Sequence, residues 1–278
     1  MLVGYVLLAA HVVSIVFSVS GIVIALRYPE LWADSATATW VFSIGMRWGA
    51  PGQIALGAGA VLVLGAATLG WRRVATFFAL AVAVSLAAEL VGTTTGWPFG
   101  AYAYGDALGP KILDRVPYAI PLSWFYIGFA SYLLASHLTA RAGFGRRAPA
   151  TVLIGAWLVT VWDLVLDPAM AHPAMPIKFW MWHQDGAYFG MPLWNFVGWG
   201  TTAATFMGLA RWALGELPVT QRTLQWAAAV YGANLVFAAL LDAGAGFWGP
   251  IGFAIVGVSV PALAFRARQS VRRIAWNV

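Results

Sequence analysis

The chain holds only ten acidic residues, few enough to weigh one at a time. Glu30, Asp34, Asp106, Asp114, Asp185 and Glu216 fall in connecting segments. Glu89, Asp163, Asp167 and Asp242 instead lie within or at the ends of long apolar stretches. Burying a carboxylate costs several kcal/mol unless it is protonated or paired. No lysine lies in those stretches to pair with it, since Lys111 and Lys178 are both in loops. An ionisable group so placed is expected to have a function. Asp163 and Asp167 are four apart, on one helical face and about one turn from each other. Two acids that close in a low dielectric do not both ionise cheaply, so one is expected to keep its proton near neutral pH. That makes a general acid without a cofactor. The plainer reading of Asp167, just before Pro168, is a cap on loop amides.

The second unusual set is aromatic: 16 Trp and 9 Tyr. Trp32, Trp40, Trp71 and Trp276 fit an interfacial belt. Trp97, Phe99, Tyr102, Tyr104, Trp124, Trp180, Trp182, Trp194 and Trp199 fit it less well, because they crowd the segments that hold the acids. Aromatic walls suit a long apolar or polyene ligand, or a transient cation held by ring faces. Asn195 and Asn234 are polar groups in apolar stretches, each read first as a helix–helix hydrogen bond, with Asn195 at the depth of the acids. His11 and His137 are isolated and His172 and His183 share a loop, so no paired histidine motif suggests a metal site. Cysteine is absent, which excludes thiolate chemistry and disulfides.

These residues must be positioned by helices in a bilayer. Hydrophobic residues are 61% of the chain and charged residues 9%, against roughly 25% charged in an ordinary globular protein. Stretches of about 20 apolar residues are centred on residues 4–26, 48–71, 74–91, 119–138, 150–167, 191–209, 223–242 and 247–265. The expected fold is therefore all-α: one integral membrane domain over residues 1–278, with about eight transmembrane helices in a bundle. The first stretch lacks a basic leader and is too long for a signal-peptide core, so it reads as a span. The net charge of +6 is not a nucleic-acid signal, because the arginines sit in short runs between spans. Eleven cationic residues, Arg72, Arg73, Arg141, Arg146, Arg147, Arg211, Arg222, Arg266, Arg268, Arg272 and Arg273, fall on one side and five on the other. That bias puts both termini in the cytoplasm, with Glu89, Asp163, Asp167 and Asp242 near the outer face.

The outer loops 92–118 and 168–190 are dense in Gly, Pro and aromatics, which suits ordered turns packed on helix ends. Gly-Ala-Tyr occurs in each (Gly100 to Tyr102, Gly186 to Tyr188), a trace of duplication. The stretch Glu89-Leu-Val-Gly-Thr-Thr-Thr-Gly-Trp-Pro-Phe-Gly-Ala-Tyr-Ala-Tyr, with Val116-Pro-Tyr-Ala-Ile-Pro-Leu-Ser-Trp, resembles the membrane carotenoid hydratase family. So do Asp163-Leu-Val-Leu-Asp-Pro, Trp180-Met-Trp and Gly186-Ala-Tyr-Phe-Gly-Met-Pro-Leu-Trp-Asn-Phe-Val-Gly-Trp199. The likeness covers about residues 85–200.

The resemblance implies addition of water to the terminal C=C of an acyclic ψ-end, of γ-carotene or lycopene type. No cofactor is needed. The carotenoid would come from the lipid of the cell inner membrane, through a lateral entrance between helices. Asp163 or Glu89 would donate the proton, with Asp167 keeping it protonated or orienting the water. Trp97, Phe99, Tyr102, Tyr104, Trp124, Trp182, Tyr188, Trp194, Asn195, Trp199 and Asp242 would line the substrate side. The competing readings are a proton-coupled transporter, which needs acids spaced across the membrane, and a carotenoid-binding protein without catalysis, which needs the aromatics but not the acids.

Overall fold

A computed structural model describes residues 1–140 and 144–275; Arg141 and Trp276 lie outside the described residues. Among the described residues, eight α-helices run in chain order. They are α1 (Leu2–Val19, continued by a π-helical segment Ser20–Ala25), α2 (Ala36–Leu69), α3 (Trp71–Thr95), α4 (Ala119–Thr139), α5 (Phe144–Ala171), α6 (Trp194–Leu214), α7 (Gln221–Ala245) and α8 (Trp248–Ala275). Six of these, all but α6 and α8, are long and apolar enough to cross a membrane. Asn195, Arg211 and a run of Gly and Thr dilute the apolar character of α6, while α8 contributes a shorter apolar stretch, Trp248–Pro261, among the described residues. The chain is an all-α polytopic membrane protein.

Helix boundaries follow local chemistry. Ser35 caps α2 by accepting from the Ala38 amide, as N-cap residues do. Gly96 ends α3 and Gly246 ends α7, both in the left-handed conformation that glycine adopts without steric cost. Several boundaries extend past the expected ones, and two bear on the site. The second span was expected from residue 48, but α2 begins at Ala36, adding an exposed stretch before the buried residues start at Gln53. The fifth was expected to stop at Asp167, but α5 continues through Pro168 to Ala171.

The reason α5 tolerates Pro168 is visible one turn back. Proline has no N–H, so the carbonyl four residues earlier loses its helical partner. That carbonyl belongs to Leu164, and the Tyr188 hydroxyl donates to it at 2.8 Å. The same device recurs in α8. Pro261 frees the Gly257 carbonyl, and Trp157 Nε1 donates to it at 2.8 Å.

Helix α4 is the centre of the bundle, packed against α2, α3, α5 and α7 and buried along most of its length. Helix α1 touches its neighbours along one stripe, Gly4, Leu8, His11 and Ile15, the spacing of a single helical face. The loops after α3 and after α5 carry two small antiparallel sheets. Strand β1 (Tyr102–Tyr104) pairs with β4 (Trp180–Trp182), in the register Tyr102 to Trp182, Ala103 to Met181 and Tyr104 to Trp180. Strand β2 (Lys111–Ile112) pairs with β3 (Val116–Pro117). The β1–β4 sheet therefore ties the loop after α3 to the loop after α5.

Candidate active site

Alternation along a strand puts every second side chain on one face. In the β1–β4 sheet, Tyr102, Tyr104, Trp180 and Trp182 share that face, while Met181 lies on the other and is exposed. The aromatic face covers the acids. Glu89 rises from α3 and is buried. Its Oε2 accepts from the hydroxyls of Tyr102 and of Tyr104 (the latter at 2.8 Å), and its Oε1 accepts from Trp124 Nε1 at 2.9 Å. Burial, then the neighbouring Glu89 charge, holds both phenols well above their ordinary range, so they remain donors. Three donors converge on one carboxyl group, a pattern that suits its charged form.

Asp163 and Asp167 lie one turn apart on α5, as their spacing predicts. Asn195 at the start of α6 spans them, with Nδ2 donating to Asp163 Oδ2 at 2.9 Å and to Asp167 Oδ2 at 2.8 Å. One amide nitrogen has two hydrogens, so this bridge uses both. Trp180 Nε1 donates to Asp167 Oδ1 at 2.7 Å. Asp167 thus bonds a strand and a helix rather than loop amides, and the capping reading does not hold. Asp163 Oδ1 is buried without a hydrogen-bond partner among the described residues.

A cavity partly open to the outside runs from these acids to the space between α1 and the first half of α2. Glu89, Asp167 and Asn195 stand at its closed end with Phe99, Tyr102, Tyr104, Trp162, Trp182 and Trp199. Asp163 is not at the wall; it sits behind Asp167 and reaches the cavity through Asn195. Trp124 backs the wall, stacked on Trp199 at 4.0 Å with an interplanar angle of 19°, and Trp162 meets Trp199 edge-on at 5.8 Å. Phe99 fits here because two glycines make room: a Cβ on Gly92 would lie 2.8 Å from its ring, and one on Gly198 2.6 Å.

Four residues expected on the substrate side lie elsewhere. Trp97 and Trp194 are 64% and 55% exposed and face away from the cavity. For Trp194 the cause is helical geometry, because it precedes the inward Asn195 by roughly 100° of helix rotation. Tyr188 is occupied by the Leu164 carbonyl that Pro168 frees. Asp242 is fully buried on α7 away from the cavity, with neither carboxylate oxygen hydrogen-bonded among the described residues. The two Gly-Ala-Tyr copies also differ in role, since Tyr102 reaches Glu89 and Tyr188 does not. Conversely, Trp162, Gln53 and Tyr126 join the site without having been singled out, and Trp180, grouped with the aromatics near the acids but not with the substrate-side residues, joins it too. Trp180 had a readable signal: Trp-x-Trp is the strand-period counterpart of Tyr102-x-Tyr104.

Comparison with known proteins follows the same regions. A family model described as "Carotenoid biosynthesis protein" matches residues 49–261, more than three quarters of the chain. A curated relative, the bisanhydrobacterioruberin hydratase of Haloarcula japonica, is 37% identical over 140 residues. That match covers 50% of this chain and 45% of the relative, so the chain spans less than half the length of the relative it matches. No solved structure matches significantly.

Proposed function

The chain belongs to the carotenoid biosynthesis protein family, and from that premise we propose that it is a hydratase adding water to the terminal C=C of a ψ-end carotenoid. The observation that carries the reading is a set of carboxyl groups with unequal surroundings at the closed end of an otherwise aromatic cavity.

Asp167 is the acid at the wall, and in this reading it protonates the terminal alkene. The carbon–carbon π pair takes the proton at C2, leaving a tertiary cation at C1. Glu89, held by three donors, balances that charge from a fixed position, and the faces of Trp199 and Phe99 add ring-quadrupole stabilisation. Water then bonds to C1 and returns a proton to the carboxyl groups, so the sum is addition of one H2O. In this reading the division of labour differs from the expected one. Asp163 lies behind the wall and Glu89 is already saturated with donors, so Asp167 delivers the proton. Asp163 and Asn195 are positioning residues that set the orientation and proton affinity of Asp167. No step calls for a cofactor.

The cavity reaches the outside where Phe17 of α1 and Met46 of α2 are 47% and 38% exposed. In a bilayer that is a lateral opening, and the substrate enters it from the lipid. In this reading both termini face the cytoplasm, in keeping with the arginine bias, and the protein resides in the cell inner membrane. Expression in cells that accumulate lycopene or γ-carotene tests the activity. A new pigment heavier by one water, found with the wild-type chain and missing from the empty vector, is the expected result. An unchanged pigment profile, with the protein present in the membrane, would favour the transporter or binding readings.

A further inference from the structure

The wall across the cavity from the acids is also polar, and the hydration chemistry proposed above leaves it without a role. It is built from α1, α2, α4 and α7. Ser18 Oγ donates to Gln53 Oε1 at 2.7 Å, and His11 Nδ1 lies 2.8 Å from the Gln53 carbonyl oxygen. Asn234 Nδ2 lies 3.0 Å from His11 Nε2 and donates to the Val230 carbonyl at 2.9 Å, while Tyr126 OH donates to Asn234 Oδ1 at 2.9 Å.

The carbonyl of Gln53 can only accept, so His11 carries its proton on Nδ1 and accepts at Nε2 from the Asn234 amide. That uses both hydrogens of Asn234 and turns its oxygen to Tyr126. The orientations of His11, Asn234 and Tyr126 are thereby set. Two groups that line the cavity are left with hydrogen-bonding capacity to spare. The oxygen of Gln53 is taken by Ser18, so its amide N–H groups are what it offers. The hydroxyl hydrogen of Tyr126 is taken by Asn234, so its oxygen is left to accept. A donor and an acceptor, both neutral, fixed from behind and facing an apolar cavity, match a water molecule. They would not compete with Glu89 for a cation.

We propose that Gln53 and Tyr126 form the water-binding subsite of this cavity, with Ser18 positioning the Gln53 amide and Asn234, backed by His11, positioning Tyr126. This rests on the hydratase reading and assigns the source of its nucleophile. The acids on one wall form the C–H bond at C2, and the water on the opposite wall forms the C–O bond at C1. Without a held water the cation has one other exit. It loses a proton, from C2 or from a terminal methyl, and returns an unhydrated pigment.

The two half-reactions can be read separately in membranes incubated with lycopene in deuterated water. Wild type should give deuterated, hydrated pigment. Tyr126→Phe and Gln53→Met should lower the hydrated product at least tenfold, yet still place deuterium in the recovered unhydrated pigment. Asp167→Asn should lose both signals. Protein abundance in the membrane is measured for each variant, and Gln53→Asn, which keeps a neutral amide donor, should recover part of the hydration. Hydration at the wild-type level in both Tyr126→Phe and Gln53→Met would overturn the subsite. So would loss of deuterium uptake together with hydration in both variants at normal abundance, since that places the residues in protonation or folding instead. A wild-type membrane showing neither signal would refute the hydratase reading itself, and this inference with it.

Discussion

Residues with the same functional group behave differently in this protein because their hydrogen-bond partners differ. Glu89 accepts three donors, Asp167 accepts from Trp180 and Asn195, and Asp163 has one oxygen free. Removing the wall acid with Asp167→Asn should cost about 10²- to 10⁴-fold in hydration, the range for loss of a general acid. Asp163→Asn should cost less, and Glu89→Gln should weaken cation stabilisation by roughly 10²-fold. Pigment turnover normalised to protein in the membrane checks all three, and an Asp163→Asn loss equal to that of Asp167→Asn would contradict the order. Tyr102 and Tyr104 bear on pH. Their phenols are held above the ordinary value, so the neutral donors persist as pH rises past about 10, where a free phenol ionises. Tyr104→Phe should therefore lower activity without moving the alkaline limb of the pH profile. The acid pair was legible in the sequence, because the spacing of Asp163 and Asp167 on an apolar stretch carries its own geometry. Which of the two faces the cavity was not legible. That depends on where α6 brings Asn195, a contact 28 residues away in the chain.

Elements explain the rest of the assignment. Helix spans were readable from apolar length, but strands of two or three residues are too short for periodicity to reveal. The aromatic lid is one of these, so Tyr102 and Trp182 could be grouped by composition but not placed face to face. Tyr188 shows the converse. Its place in an aromatic loop suggested substrate contact, whereas the structure uses it to satisfy a carbonyl orphaned by Pro168. Tyr188→Phe should therefore cost about 1–3 kcal/mol of stability through that carbonyl. It should leave activity per folded molecule near that of wild type. Thermal unfolding in detergent, alongside turnover, separates the two; intact stability with lost turnover would return Tyr188 to the substrate side.

At the scale of the whole molecule, the acids and the opening lie at opposite ends of one cavity. Gly49 on α2 lines the open end with nothing within 4 Å of an added Cβ, so a large side chain there would fill the passage rather than disturb packing. Gly49→Trp should cut turnover of a full-length carotenoid more than tenfold, about 1.4 kcal/mol or more in transition-state access. A short isoprenoid bearing the same terminal alkene should be affected much less. Equal loss for both would place the entrance elsewhere. The family match begins at Gly49, so α1 and the first half of α2, which frame this opening, fall outside the region that carries the resemblance. Their role could be found only once the cavity was seen to reach them.

The central claim, that the carboxyl groups add water to an alkene, is tested most directly by the origin of the new oxygen. Isolated membranes containing the protein would be incubated with γ-carotene in ¹⁸O-labelled water, without added cofactor. The expected product is a hydrated pigment whose hydroxyl carries the heavy oxygen, formed by wild type and not by Asp167→Asn. A hydroxylated product with unlabelled oxygen, or equal labelling in the Asp167→Asn membranes, would contradict it.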